Sequence, residues 1–247
     1  MGRYYYDLHL HSCLSPCADN DNTPYNLIGM GVLAGLQLMA LTDHNSCRNC
    51  PAFFAAARAY GIVPVAGMEL TTAEAIQIVC LFPDLESALR FNDVVDERRM
   101  RIPNRVDIFG EQWVCNEEDE PVSQEPDLLT VATTLSLEEG AALVEAYGGV
   151  CYPAHIDREA NGIIATLGMM PPTPVFTCVE FRDADKVADY RERYGLSDVT
   201  VLVDSDAHQL GAVQDKLHYV DLDAEGDDDA VRRALLDHLR GKEGSAR

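Results

Sequence analysis

A chain of 247 residues, 47% of them hydrophobic, is long enough to build one sizeable core. It carries 41 Asp and Glu against 19 Lys and Arg, a formal charge of −22. That field argues against duplex nucleic acid as a partner, because nonspecific binding relies on cationic surface. No apolar run approaches the roughly 18 residues that cross a bilayer, and the opening residues lack the apolar core of a secretory signal. The expectation is a cytoplasmic protein with no membrane partner, whose eight cysteines are reduced thiols rather than a disulfide framework.

Tyr4 to Leu8 reads as a first strand that leads directly into His9-Leu10-His11. Thr23-Pro24 is a helix start, with Thr23 as N-cap and Pro24 at the first helical position, and the helix stops at Gly35. Leu38 to Leu41 is a short apolar strand ending in Thr42-Asp43-His44-Asn45. Pro51 opens an Ala-rich helix that ends before Gly61, and the strand Ile62 to Ala66 ends in Gly67-Met68-Glu69. Ile76 to Phe82 is another strand, and Leu85 to about Arg99 is helical. The stretch 102–134 is rich in Glu, Asp and Pro, with too few apolar residues for its own core. It reads as an excursion from one domain spanning 1–247, able to roof a site and set specificity. Leu137 to Tyr147 is a helix, and Val150 to His155 a strand end carrying a histidine. Cys178 to Phe181 and Thr200 to Val203 are strands, with a helix from Ala184 to Tyr194 between them. The second of these runs into Asp204-Ser205-Asp206-Ala207-His208. Asp227-Asp228-Asp229 is the acidic first turn of a closing amphipathic helix, as the helix dipole favours.

Short apolar strands alternating with helices predict βαβ units and a parallel sheet. In a (β/α) barrel all the strand ends converge on one rim, where active sites form, so five separated segments become one site. Each segment has a bland alternative. His9-X-His11 projects two imidazoles one way, towards shared metals or simply as surface or capping histidines. Asp7 either orients an imidazole or caps the strand end. Asp43 and Asn45 are good N-cap residues, and a lone Glu69 at a strand end is usually solvated. His155 and Asp206-X-His208 add further nitrogen and oxygen donors. Five coincidences on successive strand ends are far less probable than one site.

That ordered set resembles the PHP (polymerase and histidinol phosphatase) superfamily of metal-dependent phosphoesterases. The matching motifs are Asp7-Leu8-His9-Leu10-His11, Thr42-Asp43-His44, Gly67-Met68-Glu69, His155 and Asp206-Ala207-His208. The resemblance implies an α/β fold, a distorted (β/α)7 TIM-like barrel, with two or three divalent ions (Zn, Mn or Fe). By position, one metal takes His9, His11, Glu69 and Asp206, a second shares Glu69 and takes His155, and a third takes His44 and His208. Two positions depart from the family pattern. Gln77 stands where many members have a histidine. Cys17 stands where another histidine often serves the third metal, and its thiolate would suit a soft ion; Asp19 and Asp21 are nearby substitutes.

The implied function is hydrolysis of a small phosphate ester (metabolite, nucleotide or short oligonucleotide) by metal-activated water. The candidate catalytic residues are Asp43, as a support behind the ligands, His208 (or His44, or a metal-bound water) as proton donor, and Arg158 as a phosphate clamp or else an ordinary surface arginine. Ser12 and Ser205 flank ligands and could donate hydrogen bonds. Two other functions compete. An amidohydrolase-type barrel also opens with His-X-His, but typically needs a bridging lysine, and Lys186, Lys216 and Lys242 do not end a central strand. A non-catalytic metal-binding regulatory barrel is the third reading, with Gln77 as a sign of decay. Cys47-X-X-Cys50 with Cys13 and Cys17 suggests either a structural zinc or solitary thiols. Cys80, Cys151 and Cys178 read as small core residues.

Overall fold

In the computed structural model, residues 1–224 and 226–241 are described. Local chemistry places the first elements. β1 (Gly2–Asp7) gives way at once to the loop of His9 and His11. Thr23 caps α1 (Pro24–Ala34) by accepting the Asn26 amide, and Gly35 ends the helix at a φ of 78°, where a Cβ is unwelcome. β2 (Leu38–Leu41), α2 (Cys50–Tyr60) and β3 (Val63–Thr71) complete two strand–helix–strand units, with all three strands parallel.

The predicted all-parallel sheet fails at the next strand. β4 (Gln77–Phe82) runs antiparallel to β3, with Glu69 opposite Val79 and Thr71 opposite Gln77. The reason is the connection: the few residues between Thr71 and Gln77 can make a tight turn, but a parallel crossover needs a dozen or more. Ala75 takes a left-handed φ of 59° in that turn. α3 (Leu85–Arg98) begins at Asp84, whose carboxylate accepts the Ser87 amide.

The excursion contains α4 (Val106–Phe109) and a small ribbon of β5 (Trp113–Cys115) and β6 (Pro121–Gln124). Its apolar residues cluster with barrel residues: Cys115 and the partly buried Trp113 with Cys13 and Ala52, Val114 and Leu129 with Leu14. α5 (Leu137–Ala146) opens with a reciprocal capping box of Ser136 and Glu139. β7 (Val150–Pro153), α6 (Ile163–Leu167), β8 (Cys178–Phe181), α7 (Val187–Tyr194) and β9 (Thr200–Val203) follow. β10 (Tyr219–Leu222), unforeseen from its mixed sequence, pairs antiparallel with the outer edge of β1. α8 (Asp228–Leu239) starts at Asp227, whose side chain accepts the Ala230 amide.

The order β1-β2-β3-β4-β7 forms one curled sheet, and β8 pairs in parallel with β9. β7 and β8 are stitched where Ile156 N–H donates to the Glu180 carbonyl at 2.9 Å. The ring closes through a parallel bridge between Leu10 and Ala207. Seven strands thus form a distorted TIM-like barrel, one of them reversed. Strand alternation sorts the side chains into two cores. Leu8, Leu38, Ala40, Val65, Val79, Leu81, Tyr152 and Leu202 fill the interior together with Val231, Leu235, Leu236 and Leu239 of α8. Leu41, Met68, Leu70, Ile78, Cys80 and Phe181 pack outward against the helices.

Candidate metal centre

At the carboxyl ends of the strands the interior changes from apolar to ionisable. β3 keeps its inward register through Gly67 to Glu69, which is buried. Gly67 is required there, since a Cβ would lie 2.8 Å from the Cys80 carbonyl oxygen and 2.9 Å from Thr42 Cγ2. His155 and Asp206 leave their strands in left-handed backbone, at φ 31° and 47°, and Asn45 does so at 47°. Non-glycine residues seldom adopt this region, and such strain collects at functional sites. Here it turns successive strand ends inward.

The result is a tight convergence of lone pairs. His9 Nε2 and His11 Nε2 are 3.1 Å apart. Asp206 Oδ1 is 3.1 Å from His11 Nε2 and 3.5 Å from His9 Nε2. Glu69 Oε1 lies 3.0 Å from His155 Nε2, and Glu69 Oε2 lies 2.8 Å from His44 Nδ1. Yet His44 Nδ1, Glu69 Oε2 and Asp206 Oδ1 are buried without a hydrogen-bond partner. Orphaned donors and acceptors that converge without bonding one another are what a cation would satisfy. His9, His11 and Asp206 form one group able to hold an ion, and His11, His44 and His208 another. The residues present therefore fit divalent cations.

The electrostatics agree with the geometry. Burial opposes charge on His9, but Glu180, Asp206 and Glu69 hold its pKa well above the ordinary histidine range. His11 is pushed well below that range, first by burial and then by the neighbouring His208 and His44. Burial would raise Glu69 and Asp206, but the imidazoles around them keep both below the usual carboxylate range. Cys17 is exposed at the edge, with Sγ 3.2 Å from His44 Nε2. Burial acts to raise its thiol, but bonds to His208 and His44 outweigh that and bring its pKa down to about 6.

Several expectations need correction. Asp7 does not orient an imidazole; its carboxylate accepts the amides of Ser205 and Gln214, both at 3.2 Å. That work belongs to Glu180, which sits 2.8 Å from His9 Nδ1 and also accepts the His155 amide. Sequence reasoning passed over Glu180, although a lone acid in the apolar strand Cys178–Phe181 was a signal. Asp43 needs no such correction and lies behind the ligands. Its oxygens accept Ser12 N–H and Oγ–H and Ser15 Oγ–H, and Ser15 Oγ also touches His11 Nδ1 at 3.0 Å. Asp43 therefore braces the opening loop from behind. Ser205 Oγ is buried without a partner. Gln77 is buried at the start of β4, and its side chain makes no hydrogen bond among the described residues. Arg158 reaches Asp206 Oδ2 at 3.1 Å, and Arg182, also overlooked, reaches the same oxygen at 2.9 Å.

Of the two sequence alternatives the cysteines follow the free-thiol one. Cys47 and Cys50 turn their sulfurs to the Gly67 carbonyl, at 3.2 and 3.7 Å. Cys13 meets Cys115 of the excursion at 3.6 Å, not Cys17. Among the described residues no four-cysteine cluster forms. Lys186 lies on Asp157 and Lys216 over the Tyr5 ring, so neither bridges the cluster, and Lys242 lies outside the described residues.

The family model of the PHP domain matches residues 7–147, more than half of the chain. The chain belongs to the PHP domain family. No curated protein matches it by sequence. Among solved structures it is similar to the lesion-specific endonuclease Q of Pyrococcus furiosus, at 15% identity and a TM-score of 0.66, over 99% of this chain and 57% of that one. The chain thus spans little more than half the length of that relative. It is also similar to an amidohydrolase from Chromobacterium violaceum, solved with sulfate and no metal, at 20% identity and a TM-score of 0.54 over 88% and 91% of the two chains. A protein named as a metal-dependent phosphoesterase from Bifidobacterium adolescentis matches at 18% identity and a TM-score of 0.51, over 93% and 95%. At these identities the likeness is one of fold.

One sequence expectation is overturned here. An endonuclease Q structure that shares this fold over 99% of the present chain, at 15% identity and a TM-score of 0.64, holds a 27-mer duplex with an abasic lesion at its active site. Duplex nucleic acid is therefore not excluded for this PHP chain by its acidity. Net charge is a poor guide where a site's local field is set by bound cations, which can be the largest charges present. Among the described residues, no helix is long and apolar enough to cross a membrane.

Proposed function

We propose that this chain hydrolyses phosphate esters with divalent cations held by His9, His11, Glu69, His155 and Asp206, with His44 and His208 completing the ring. The observation that supports this most is the convergence of those side chains with Glu69 Oε2, His44 Nδ1 and Asp206 Oδ1 buried and unpartnered. Zn²⁺, Mn²⁺ or Fe²⁺ suits the mixed imidazole and carboxylate donors, two or three per chain. When bound, such ions supply Lewis acidity and lower the pKa of water so that it attacks near neutral pH.

The chain's own residues divide the remaining work. Glu180 holds His9 in the tautomer that leaves Nε2 free. Asp43 and Ser15 do the same for the His11 loop. Arg158 and Arg182, both about two-fifths exposed on one oxygen of Asp206, offer planar N–H forks to an arriving phosphate. When no ion occupies the His11–His44–His208 group, His208, partly exposed at the edge of the cluster, delivers a proton to the leaving oxygen. The excursion lies against the same rim: Trp113 donates to the Cys13 carbonyl at 2.8 Å, and Asn45 Nδ2 donates to the Leu129 carbonyl at 2.7 Å. It shapes which ester reaches the centre.

The preferred substrate is a small phosphate ester, a metabolite, nucleotide or short oligonucleotide. A second reading, a phosphodiester within DNA, is favoured by the endonuclease Q likeness across 99% of the chain. The test is metal-dependent turnover of p-nitrophenyl phosphate, bis(p-nitrophenyl) phosphate, nucleotides and a duplex with an abasic site, compared with His9→Ala. Turnover that requires added Mn²⁺ or Zn²⁺ and vanishes in the variant is expected. No turnover of any of these by fully metallated protein would sink the hydrolase reading.

A further inference from the structure

Asparagine is a favoured residue just before a helix because its side-chain oxygen accepts an early amide. Asn49 stands at that position before α2 and makes no such bond. It is fully buried, and its side-chain hydrogen bonds all leave the helix. Its Nδ2 donates to Ser12 Oγ at 2.9 Å and to the Trp113 carbonyl at 3.0 Å, and its Oδ1 accepts the Cys115 amide at 2.9 Å. One side-chain amide thus joins the opening ligand loop to β5 of the excursion.

On the ligand side the bonds continue without a gap. Ser12 Oγ, having accepted from Asn49, donates to Asp43 Oδ2 at 2.6 Å, and Asp43 Oδ1 accepts Ser15 Oγ–H at 2.7 Å. Ser15 Oγ in turn lies 3.0 Å from His11 Nδ1 and accepts the His44 amide at 3.2 Å. Each donated proton sets the direction of the next bond. With its own proton on Asp43, Ser15 can only accept from His11 Nδ1–H, which leaves Nε2 bare towards the cluster. On the excursion side, Trp113 N–H donates to the Cys13 carbonyl at 2.8 Å. A second buried asparagine, Asn45, donates to the Leu129 and Val131 carbonyls and so ties the far end of the excursion to the residue after His44.

Resting on the hydrolase reading above, we propose that Asn49 is a positioning residue that couples the seat of the excursion to the orientation of His11. With Asn49 bonded to β5, Ser12 keeps its proton on Asp43 and His11 presents Nε2 to a cation. A cation that holds His11 in this orientation holds Ser12 and Asn49 with it, and through them Trp113 and Cys115. Such coupling is reciprocal: whatever seats the excursion favours the cation, and the cation favours the seated excursion. The excursion is then part of the support of the centre as well as a wall of its approach.

The experiment adds Zn²⁺ alone to the metal-depleted full chain, following zinc affinity by calorimetry and amide hydrogen exchange across β5 by mass spectrometry. In the wild type, zinc should slow exchange in β5. Asn49→Ala should speed that exchange in the zinc-free state, abolish the slowing by zinc and lower zinc affinity about 3- to 30-fold. Ser12→Ala leaves Asn49 its bonds to β5, so zinc-free exchange should match the wild type while affinity falls and the slowing is lost. It is the deciding variant should Asn49→Ala not fold. Because both residues act through one path, the double variant should bind zinc no more weakly than the weaker single variant. Unchanged zinc affinity in either single variant, losses that add in the double variant, or β5 exchange that ignores zinc in the wild type overturns the coupling and leaves the hydrolase reading standing. A wild type that binds no zinc at all overturns both.

Discussion

The two ends of this barrel are packed by opposite rules. At the end closed by α8, inward positions are aliphatic: Val231, Leu235, Leu236 and Leu239 meet Leu38, Val63 and Leu202, all buried. At the other end the same inward register carries Glu69, Glu180, Asp204 and Asp206, with buried imidazoles between them. Burial of apolar surface stabilises the first end by ordinary transfer from water. The second end holds charges that are costly to bury unless partnered, and its backbone is turned into the left-handed region at Asn45, His155 and Asp206. One end supplies stability, and the other draws on it.

The contrast can be broken from either side. The largest effect is expected for Glu69→Ala, which removes a carboxylate that touches four imidazoles. Since partners that only support a ligand cost about 10–100-fold, loss of this shared one should lower activity by well over 100-fold. The thermal unfolding temperature of the metal-depleted variant should also fall, because His9 and His44 lose a buried counter-charge; retained turnover would show that Glu69 holds no cation. At the apolar end, Leu235→Ala should cost about 2–5 kcal/mol in denaturant unfolding while the cation count stays the same. A variant that loses cations at unchanged stability would erase the division between the two ends.

Two smaller effects sharpen it. Glu180→Gln keeps a hydrogen bond to His9 but removes the charge, and cation affinity should fall by about 10–100-fold with the fold intact. Calorimetry would read this directly, and unchanged affinity would reduce Glu180 to a packing residue. The smallest is a pH effect. His9 and His44 are held well above the ordinary histidine range, against burial, by the carboxylates they face. That shift favours their protonated forms in the metal-depleted protein, and a cation must displace those protons. Affinity should rise with pH, and titrations in buffers of different ionisation enthalpy should show net proton release. Binding with no proton release would remove these two imidazoles from the ligand set.

Particular residues show why some of this was readable in the chain and some was not. Thr23-Pro24 with Gly35, or Ser136 with Glu139, mark helix ends because caps act within a few residues. The strand ends announced themselves because a histidine or acid repeatedly interrupts an apolar run. Asp7 and Glu180 could not be told apart in this way. Both are buried acids near His9, and only the closing of the barrel decided which one reaches Nδ1. The same holds for Cys13, which its spacing grouped with Cys17 but which the excursion paired with Cys115.

Taken by itself, the sequence determined the order of the main barrel strands and most of the helices between them, the inward register of β3 and β9, and the residue types able to bind a cation. These follow from local backbone preference and from the period-two alternation of strands. Tertiary structure decided that β4 runs backwards, that β10 joins the edge of β1, and which carboxylate and which sulfur meet each imidazole. Those contacts join residues as far apart as His9 and Glu180, and only the geometry of the closed ring sets such distances.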